Sequence, residues 1–217
     1  MKSAQLLHFY LEQCPLIAIL RGLQPQEAPA MGEMLLETGF RIIEVPLNSP
    51  APYDSIAELA QSCGQEALIG AGTVLSREQV DKVAEAGGRL IVAPNTRRSV
   101  IKATCAQHMI SLPGVFTPTE AHKALDAGAH GLKFFPSEAI SSAMLQAMRA
   151  TLPPSAPLIM VGGITAHNMA SYLQAGAYGF GFGSALYQKG QSLAETRQKA
   201  KALITAWQAL ALEAESA

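Results

Sequence analysis

The sequence predicts an α/β protein, a minimal (β/α)8 TIM barrel with an N-terminal helix, formed as a single domain by residues 1–217. First, short and continuously apolar runs recur along the chain, which is typical of parallel strands covered on both faces. Second, stretches with helical spacing lie between these runs. Third, 217 residues suffice for eight such units around one core. The predicted strands are residues 16–20, 42–45, 68–71, 90–93, 109–112, 131–135, 158–161 and 178–183.

Glycines and hydroxyl residues mark the ends of the predicted helices. Four helical stretches end at a glycine, which adopts the left-handed cap conformation without steric cost. These glycines are Gly39, Gly87, Gly128 and Gly176. Ser76 and Thr117 are predicted N-caps, because proline or acidic residues follow them in a first helical turn. The main rival, an open doubly wound sheet, lacks its Gly-x-Gly-x-x-Gly pattern after the first predicted strand.

Composition and charge exclude several classes of protein. A formal net charge of -1, with no run of Lys or Arg, argues against a nucleic-acid or membrane-surface partner. Residues 1–14 mix Lys2, His8 and Glu12 with apolar residues, which fits an amphipathic helix rather than a signal peptide, and no run is long enough to span a membrane. The 3 cysteines form no Cys-x-x-Cys pair, so we expect core thiols and a cytoplasmic location. The histidines lack ligand spacing, so neither a metal nor another cofactor is predicted.

Lys133 is a charged residue within the apolar run at residues 131–135. An unpaired ammonium loses several kcal/mol of hydration in such a place, so burial favours a lowered pKa and a nucleophilic neutral amine. This is the chemistry of an enzyme that forms a Schiff base. The alternative is that the side chain extends to water at the sheet edge and only covers apolar surface with its stem.

Other polar residues fall at the carboxyl ends of the predicted strands, where barrels place their functional groups. Arg21, Thr73 and Asn95 follow the first, third and fourth strands, and Glu44 lies inside the second. Packing alone would favour Val or Ile at the position of Glu44. Its alternative role is an ion pair with Lys133 or Arg21 that only fills the barrel interior. Together, the lysine, glutamate and arginine supply a nucleophile, a proton shuttle and a carboxylate clamp.

Two glycine-bearing turns predict a phosphate site. The seventh and eighth predicted strands end in Val161-Gly162-Gly163-Ile164-Thr165 and Gly181-Phe182-Gly183-Ser184-Ala185, and each turn is expected to lead into a helix. Glycine lets the backbone approach an anion closely, and successive N–H groups at a helix start favour phosphate. Barrels commonly bind phosphate after these two strands.

The motifs that carry these residues resemble the class I 2-keto-3-deoxy-6-phosphogluconate and -galactonate aldolases almost from end to end. The resemblance implies that Lys133 forms the Schiff base and that Glu44 is the general acid/base. It also implies that Arg21 and Thr73 hold the pyruvyl carboxylate, with Phe135 packed beside it. The matching segments, in order, are residues 17–22, 44–50, 70–74, 92–95, 113–114, 133–136, 161–163 and 183–184.

Further site residues follow from the same resemblance. It implies that Pro94, within the matching segment 92–95, belongs to the substrate-binding site. It also implies that Gly162, Gly163 and Ser184 hold the phosphate, in agreement with the prediction from the glycine turns. The implied substrate is therefore a small 2-keto-3-deoxy sugar-acid phosphate, and the resemblance further implies a homotrimer.

Two positions bear on which epimer is the substrate. Gluconate-type members commonly carry threonine before the glycine pair and often an arginine four residues after the catalytic glutamate, whereas this sequence has Val161 and Asn48. It thus resembles the galactonate-type members, and Val161 is expected to contact substrate. The gluconate epimer, or dual specificity, remains an alternative, because a hydrophobic side chain discriminates poorly against a misplaced hydroxyl. Two alternatives come from other classes of protein: a sugar-phosphate isomerase or epimerase, and a non-catalytic barrel that only binds sugar phosphates.

Overall fold

The computed structural model describes residues 2–215, so Met1 of the predicted N-terminal helix and the last two residues of the predicted domain lie outside the described chain. The helices are α1 (Ser3–Gln13), α2 (Ala28–Thr38), α3 (Pro52–Cys63), α4 (Arg77–Glu85), α5 (Arg98–Ala106), α6 (Pro118–Asp126), α7 (Ser142–Arg149), α8 (Met169–Gln174) and α9 (Leu193–Glu215). The strands are β1 (Leu16–Ile19), β2 (Ile42–Pro46), β3 (Leu68–Gly72), β4 (Leu90–Val92), β5 (Ile110–Leu112), β6 (Gly114–Val115), β7 (Leu132–Phe134), β8 (Leu158–Val161) and β9 (Gly179–Phe182).

The strands form one parallel sheet in the order β5-β4-β3-β2-β1-β9-β8-β7-β6. Its two outer strands, β5 and β6, are consecutive in the chain and are separated only by Pro113. Leu112 pairs with Val92 on one side, and Gly114 pairs with Lys133 on the other, so this segment closes the sheet into a barrel. The predicted (β/α)8 barrel is therefore confirmed, with the fifth strand extended to Val115 and divided at Pro113.

Side chains alternate between the barrel interior and the surrounding helices. The interior cluster includes Ile17 and Ile19, whereas Leu16 and Ala18 belong to the cluster shared with the helices. Side chains of α1, among them Leu7 and Leu11, belong to the interior cluster as well. Helix α1 therefore covers the end of the barrel opposite the carboxyl ends of the strands, which leaves that second end open for a site.

The four helix ends predicted from glycines and the two predicted N-caps are confirmed. Gly39, for example, has a φ of 109°, and Phe40 N donates to Leu35 O at 2.9 Å, as expected for a left-handed helix cap. The hydroxyl oxygens of Ser76 and Thr117 each accept a hydrogen bond from the backbone N–H three residues later. The local sequence signals therefore set where these helices begin and end.

Other sequence predictions concern thiols, metals and membranes. Cys14 and Cys63 are buried and Cys105 is half-buried, all three with free thiols. Across residues 2–215, no three His, Cys, Asp or Glu side chains lie together as metal ligands would. Over the same range, no helix is both long enough and apolar enough to cross a bilayer.

Candidate active site

A cavity of about 410 Å³ opens at the carboxyl ends of the strands. Every residue that the sequence analysis assigned to catalysis or substrate binding lines it, namely Arg21, Glu44, Thr73, Pro94, Lys133, Phe135, Val161, Gly162, Gly163 and Ser184. Asn95 is exposed and does not line the cavity. The lining is completed by Ile19, which the sequence analysis did not single out, and by other residues of the two predicted glycine turns, namely Ile164, Thr165, Gly181, Gly183 and Ala185. The fold thus collects residues from both halves of the chain around one space.

Lys133 lies in β7 with its side chain inside the barrel and only 7% exposed. Its neighbours Leu132 and Phe134 point outward into the helix layer, as strand alternation requires. Burial lowers the pKa of the Lys133 ammonium, Arg21 lowers it further, and Glu44 opposes both effects. Within the described chain, no carboxylate lies within 4.0 Å of Nζ, which instead lies 4.9 Å from the centroid of the Phe135 ring. The amine is therefore held in the interior in a setting that favours its neutral form.

Glu44 is also buried, at 2% exposure, and its Oε2 has no hydrogen-bond partner among the described residues. Burial raises the pKa of this carboxyl group to about 7, although Lys133 and Arg21 both act to lower it. The simple ion pair considered for Glu44 is not observed, since neither cation approaches it within 4.0 Å in the described structure. A carboxyl group with a pKa near neutrality can both accept and donate a proton at physiological pH.

Gly72 makes room for the Glu44 carboxyl group. A Cβ atom added at Gly72 would overlap Oε2 and would lie 2.5 Å from Oε1, so any larger residue here would force the Glu44 carboxyl group to move. The next residue, Thr73, has a φ of 58°, which is rare for a β-branched residue. Such conformations cost about 1–3 kcal/mol and cluster at functional sites. The end of β3 therefore has an unusual backbone directly beside the carboxyl group.

Arg21 extends from the loop after β1 and is held by the loop after β2. Its Nη1 donates to Asn48 Oδ1 at 2.8 Å, and the backbone N–H of Gly22 donates to the buried Ser49 Oγ at 2.9 Å. The guanidinium group remains exposed at the mouth of the cavity. These two contacts orient a planar fork of N–H donors that suits a carboxylate.

Ser137 joins the ends of β7 and β8 beneath the cavity. Its buried Oγ donates to Phe134 O at 2.9 Å and accepts from Val161 N at 2.8 Å. The Tyr172 hydroxyl of α8 in turn donates to Ser137 O at 2.9 Å. The sequence analysis missed both residues, because a serine after a strand gives no local signal of such a link.

The glycine turns differ from their prediction in one respect. Helix α8 begins only at Met169 and α9 only at Leu193, so neither turn leads directly into a helix. Gly162 and Gly163 have φ values of 96° and 69°. In the described chain, the N–H groups of Gly162, Gly163 and Ile164 have no acceptor. Any anion bound here would thus meet N–H groups of an irregular turn rather than the N-terminus of a helix.

A buried lysine of lowered pKa beside a buried carboxyl group, at the open end of a (β/α)8 barrel, defines the lysine Schiff-base class of aldolases. The chain belongs to the KDPG and KHG aldolase family, whose family model matches residues 8–203. The resemblance seen in the sequence is therefore confirmed.

Individual relatives agree with this membership. The chain is 47% identical over 196 residues to a probable 2-dehydro-3-deoxy-6-phosphogalactonate aldolase of Rhizobium meliloti, covering 90% of this chain and 92% of that protein. It is 46% identical over 193 residues to the 2-dehydro-3-deoxy-6-phosphogalactonate aldolase of Escherichia coli, covering 89% and 94%. A solved structure described as native KDPGal superposes with a TM-score of 0.90 at 44% identity, covering 92% of this chain and 97% of the other.

Proposed function

We propose that the protein is a class I aldolase that cleaves 2-dehydro-3-deoxy-6-phospho-D-galactonate to pyruvate and D-glyceraldehyde 3-phosphate. The observation that carries this proposal is the buried Lys133 amine, whose pKa is lowered by burial and which has no carboxylate within 4.0 Å in the described chain. A neutral amine at the floor of an open cavity is the nucleophile that such a reaction needs.

The reaction begins at the keto group of the substrate. The nitrogen of neutral Lys133 forms a bond to carbon 2, and the carbonyl oxygen takes up a proton to give a carbinolamine. Loss of that oxygen as water leaves a protonated imine, which can accept an electron pair from the neighbouring carbon. The aromatic ring of Phe135, with its centroid 4.9 Å from Nζ, supports the resulting cation through its face.

Cleavage requires a base at the other side of the breaking bond. The ionised Glu44 carboxylate takes the proton of the carbon 4 hydroxyl, directly or through a water molecule. The bond between carbons 3 and 4 then breaks, its electron pair forms an enamine on the lysine, and carbon 4 becomes the aldehyde of glyceraldehyde 3-phosphate. Protonation of carbon 3 and hydrolysis of the imine release pyruvate and restore Lys133.

We also propose that the cavity has two anion-binding ends, one for each charged group of the substrate. Arg21 and Thr73 bind the pyruvyl carboxylate, and Phe135 and Pro94 form the adjacent wall. Gly162, Gly163 and Ser184 bind the phosphate at the opposite side. The support is that these residues line one cavity and that the N–H groups of the glycine pair lack acceptors in the described chain.

The preference for the galactonate epimer rests on Val161, which lines the cavity, and on the galactonate names of both relatives above. Initial rates with the two epimers, at equal concentration, test this preference. A larger kcat/KM for the gluconate epimer would reverse the assignment while leaving the aldolase chemistry intact.

Borohydride reduction with and without pyruvate tests the covalent mechanism. Peptide mass spectrometry should find a reduced pyruvate adduct on Lys133 only when pyruvate is present. Lys133→Ala should give no adduct and no turnover while keeping the circular dichroism spectrum of the parent, since barrel stability and top-face chemistry are largely separable. An active Lys133→Ala protein, or an adduct on another lysine, would overturn the mechanism.

We propose in addition that the protein assembles as a homotrimer. Several large apolar side chains are exposed on the chain, among them Phe9 at 47% and Tyr178 at 37%, and such side chains are candidates for an interface. Light scattering coupled to size-exclusion chromatography measures the assembly state directly, and a monomeric mass would refute it. The cytoplasmic location expected from the sequence stays a prediction.

A further inference from the structure

We propose that Asn168 is a positioning residue that holds the turn at residues 162–164 in the conformation that binds the substrate's phosphate. The inference rests on the proposed function, since it takes this turn as the phosphate end of the aldolase site. Asn168 is outside the set of residues that line the cavity, whereas Gly162, Gly163, Ile164 and Thr165 all line it. Asn168 therefore supports the turn without itself facing the cavity.

Both polar groups of the Asn168 side chain bind the turn. Nδ2 donates to Gly163 O at 2.8 Å, and Oδ1 accepts from Thr165 N at 2.9 Å. The backbone N–H of Asn168 also donates to Thr165 O at 3.3 Å. Reversing the amide would place donor against donor and acceptor against acceptor, so these contacts define the orientation of the side chain.

The contact with Gly163 O fixes the direction of the next N–H group. Gly163 C=O and Ile164 N–H belong to one trans peptide unit, in which they point in opposite directions. Asn168 holds the carbonyl oxygen and does not itself line the cavity, so we assign the Ile164 N–H to the opposite, cavity side of the turn. This N–H and those of Gly162 and Gly163 have no acceptor in the described structure.

Glycine makes such a restraint necessary. Gly162 and Gly163 both have positive φ values, and a glycine allows the peptide unit that follows it, here Gly163 C=O and Ile164 N–H, to rotate with less steric penalty than another residue would. A rotated unit would turn the Gly163 carbonyl oxygen toward the cavity, where it would repel an anion. By holding the turn in one orientation, Asn168 reduces the ordering that phosphate binding would otherwise require.

The test compares substrates with and without the phosphate in the Asn168→Ala variant. For the phosphorylated substrate we expect KM to rise about tenfold to a hundredfold with kcat nearly unchanged, the effect of losing two hydrogen bonds that preorganise the turn. For 2-dehydro-3-deoxygalactonate, which lacks the phosphate, kcat/KM should stay within about twofold of the parent. The pyruvate concentration that gives half-maximal borohydride trapping on Lys133 should also be unchanged.

Ser171→Ala is the matched control, because Ser171 Oγ donates to the backbone oxygen of Asn168 and not to the turn. It should leave every constant unchanged. Asn168→Asp is a second variant in case the alanine protein folds poorly. It keeps an acceptor for Thr165 N but loses the donor to Gly163 O, and it should weaken binding of the phosphorylated substrate as well.

The outcomes separate this inference from the proposed function. If the parent enzyme neither cleaves the phosphorylated substrate nor traps pyruvate, the proposed function fails. If the parent is active and Asn168→Ala leaves KM for the phosphorylated substrate unchanged, the role of Asn168 is refuted. An equal fall in kcat/KM for both substrates, or weaker pyruvate trapping, would mean that Asn168 has a merely structural role. Either result would also refute the proposed role in phosphate binding.

Discussion

The carboxyl group of Glu44 lies against the backbone of Gly72, so closely that a Cβ atom at position 72 would overlap Oε2. The two residues are neighbours across the β2–β3 pair, where Glu44 is in register with Gly70 and Pro46 with Gly72. The glycine therefore leaves the space that the buried carboxyl group of Glu44 occupies.

Gly72→Ala should consequently inactivate the enzyme without touching a catalytic residue. With Glu44 as the proposed general acid/base, displacing it would remove a group of a kind that typically contributes about a hundredfold to ten-thousandfold to the rate. We expect a fall in kcat of about a hundredfold or more, measured by coupled assay of glyceraldehyde 3-phosphate release. In a Glu44→Gln background the same change should have little additional effect, and a multiplicative loss would show that Gly72 acts through another group.

Activity should rise with pH through the pKa of Glu44. Its pKa is raised to about 7, so the carboxyl group keeps its proton at lower pH and cannot accept the carbon 4 hydroxyl proton. The ascending limb of kcat/KM for cleavage, which also requires neutral Lys133, should therefore include a group with an apparent pKa near 7 that is missing in Glu44→Gln. A limb near 4.5, the ordinary value for Glu, would contradict the burial argument.

The same shift makes a prediction about stability. Because the folded-state pKa exceeds the ordinary value of 4.5, the folded protein binds this proton more tightly than the unfolded chain does. The stability due to Glu44 is thus fully present below about pH 4.5 and is lost as pH rises through about 7. Urea unfolding measures the free energy of unfolding at pH 5 and at pH 8. Its decrease from pH 5 to pH 8 should be smaller for Glu44→Gln than for the parent.

Replacing the buried lysine with an apolar side chain should stabilise the protein while abolishing turnover. Lys133→Met keeps an unbranched side chain of similar length and removes an amine that burial disfavours in its charged form. We expect the free energy of unfolding at pH 7 to increase, because the unfolded chain keeps this amine charged and hydrated whereas the folded protein buries it. A decrease would mean that Lys133 is better paired than its environment indicates.

Arg21→Lys should weaken pyruvate binding although it conserves the charge. A lysine cannot reproduce the planar fork that Asn48 orients through Nη1. The pyruvate concentration for half-maximal borohydride trapping should rise about tenfold, as expected for loss of one charge-assisted hydrogen bond. Arg197→Lys is the control, since Arg197 pairs with Glu37 on the surface and should leave trapping unchanged.

Ser137→Ala should destabilise the barrel between β7 and β8. It leaves Val161 N and Phe134 O without their buried partner, at a cost of about 1–3 kcal/mol in the free energy of unfolding. Urea denaturation measures this difference. Ser62→Ala removes an exposed contact to Glu58 O and a longer one, at 3.4 Å, to Cys63 Sγ, and should change stability by less than about 0.5 kcal/mol.

The sequence alone predicts much of the site because its signals are local. Lys133 and Glu44 stand out as charges within short apolar runs, and the barrel pattern places both at the same end of the sheet. Helix ends at Gly39 and its counterparts follow from the conformational freedom of glycine. Each of these inferences needs only the residue and its immediate neighbours.

What the sequence by itself determined is therefore the order of strands and helices and the set of candidate side chains that line the cavity, because apolar periodicity and backbone preferences act over a few residues. Only the tertiary structure decided that Pro113 divides the closing strand, that Gly72 makes room for Glu44, and that Ser137 and Asn168 hold the loops around the cavity. Most of these relationships join different strands or loops, and all of them depend on the three-dimensional placement of groups, which no short-range pattern specifies. They arise from the packing of the closed barrel, in which the register of neighbouring strands brings distant side chains and backbone groups into contact.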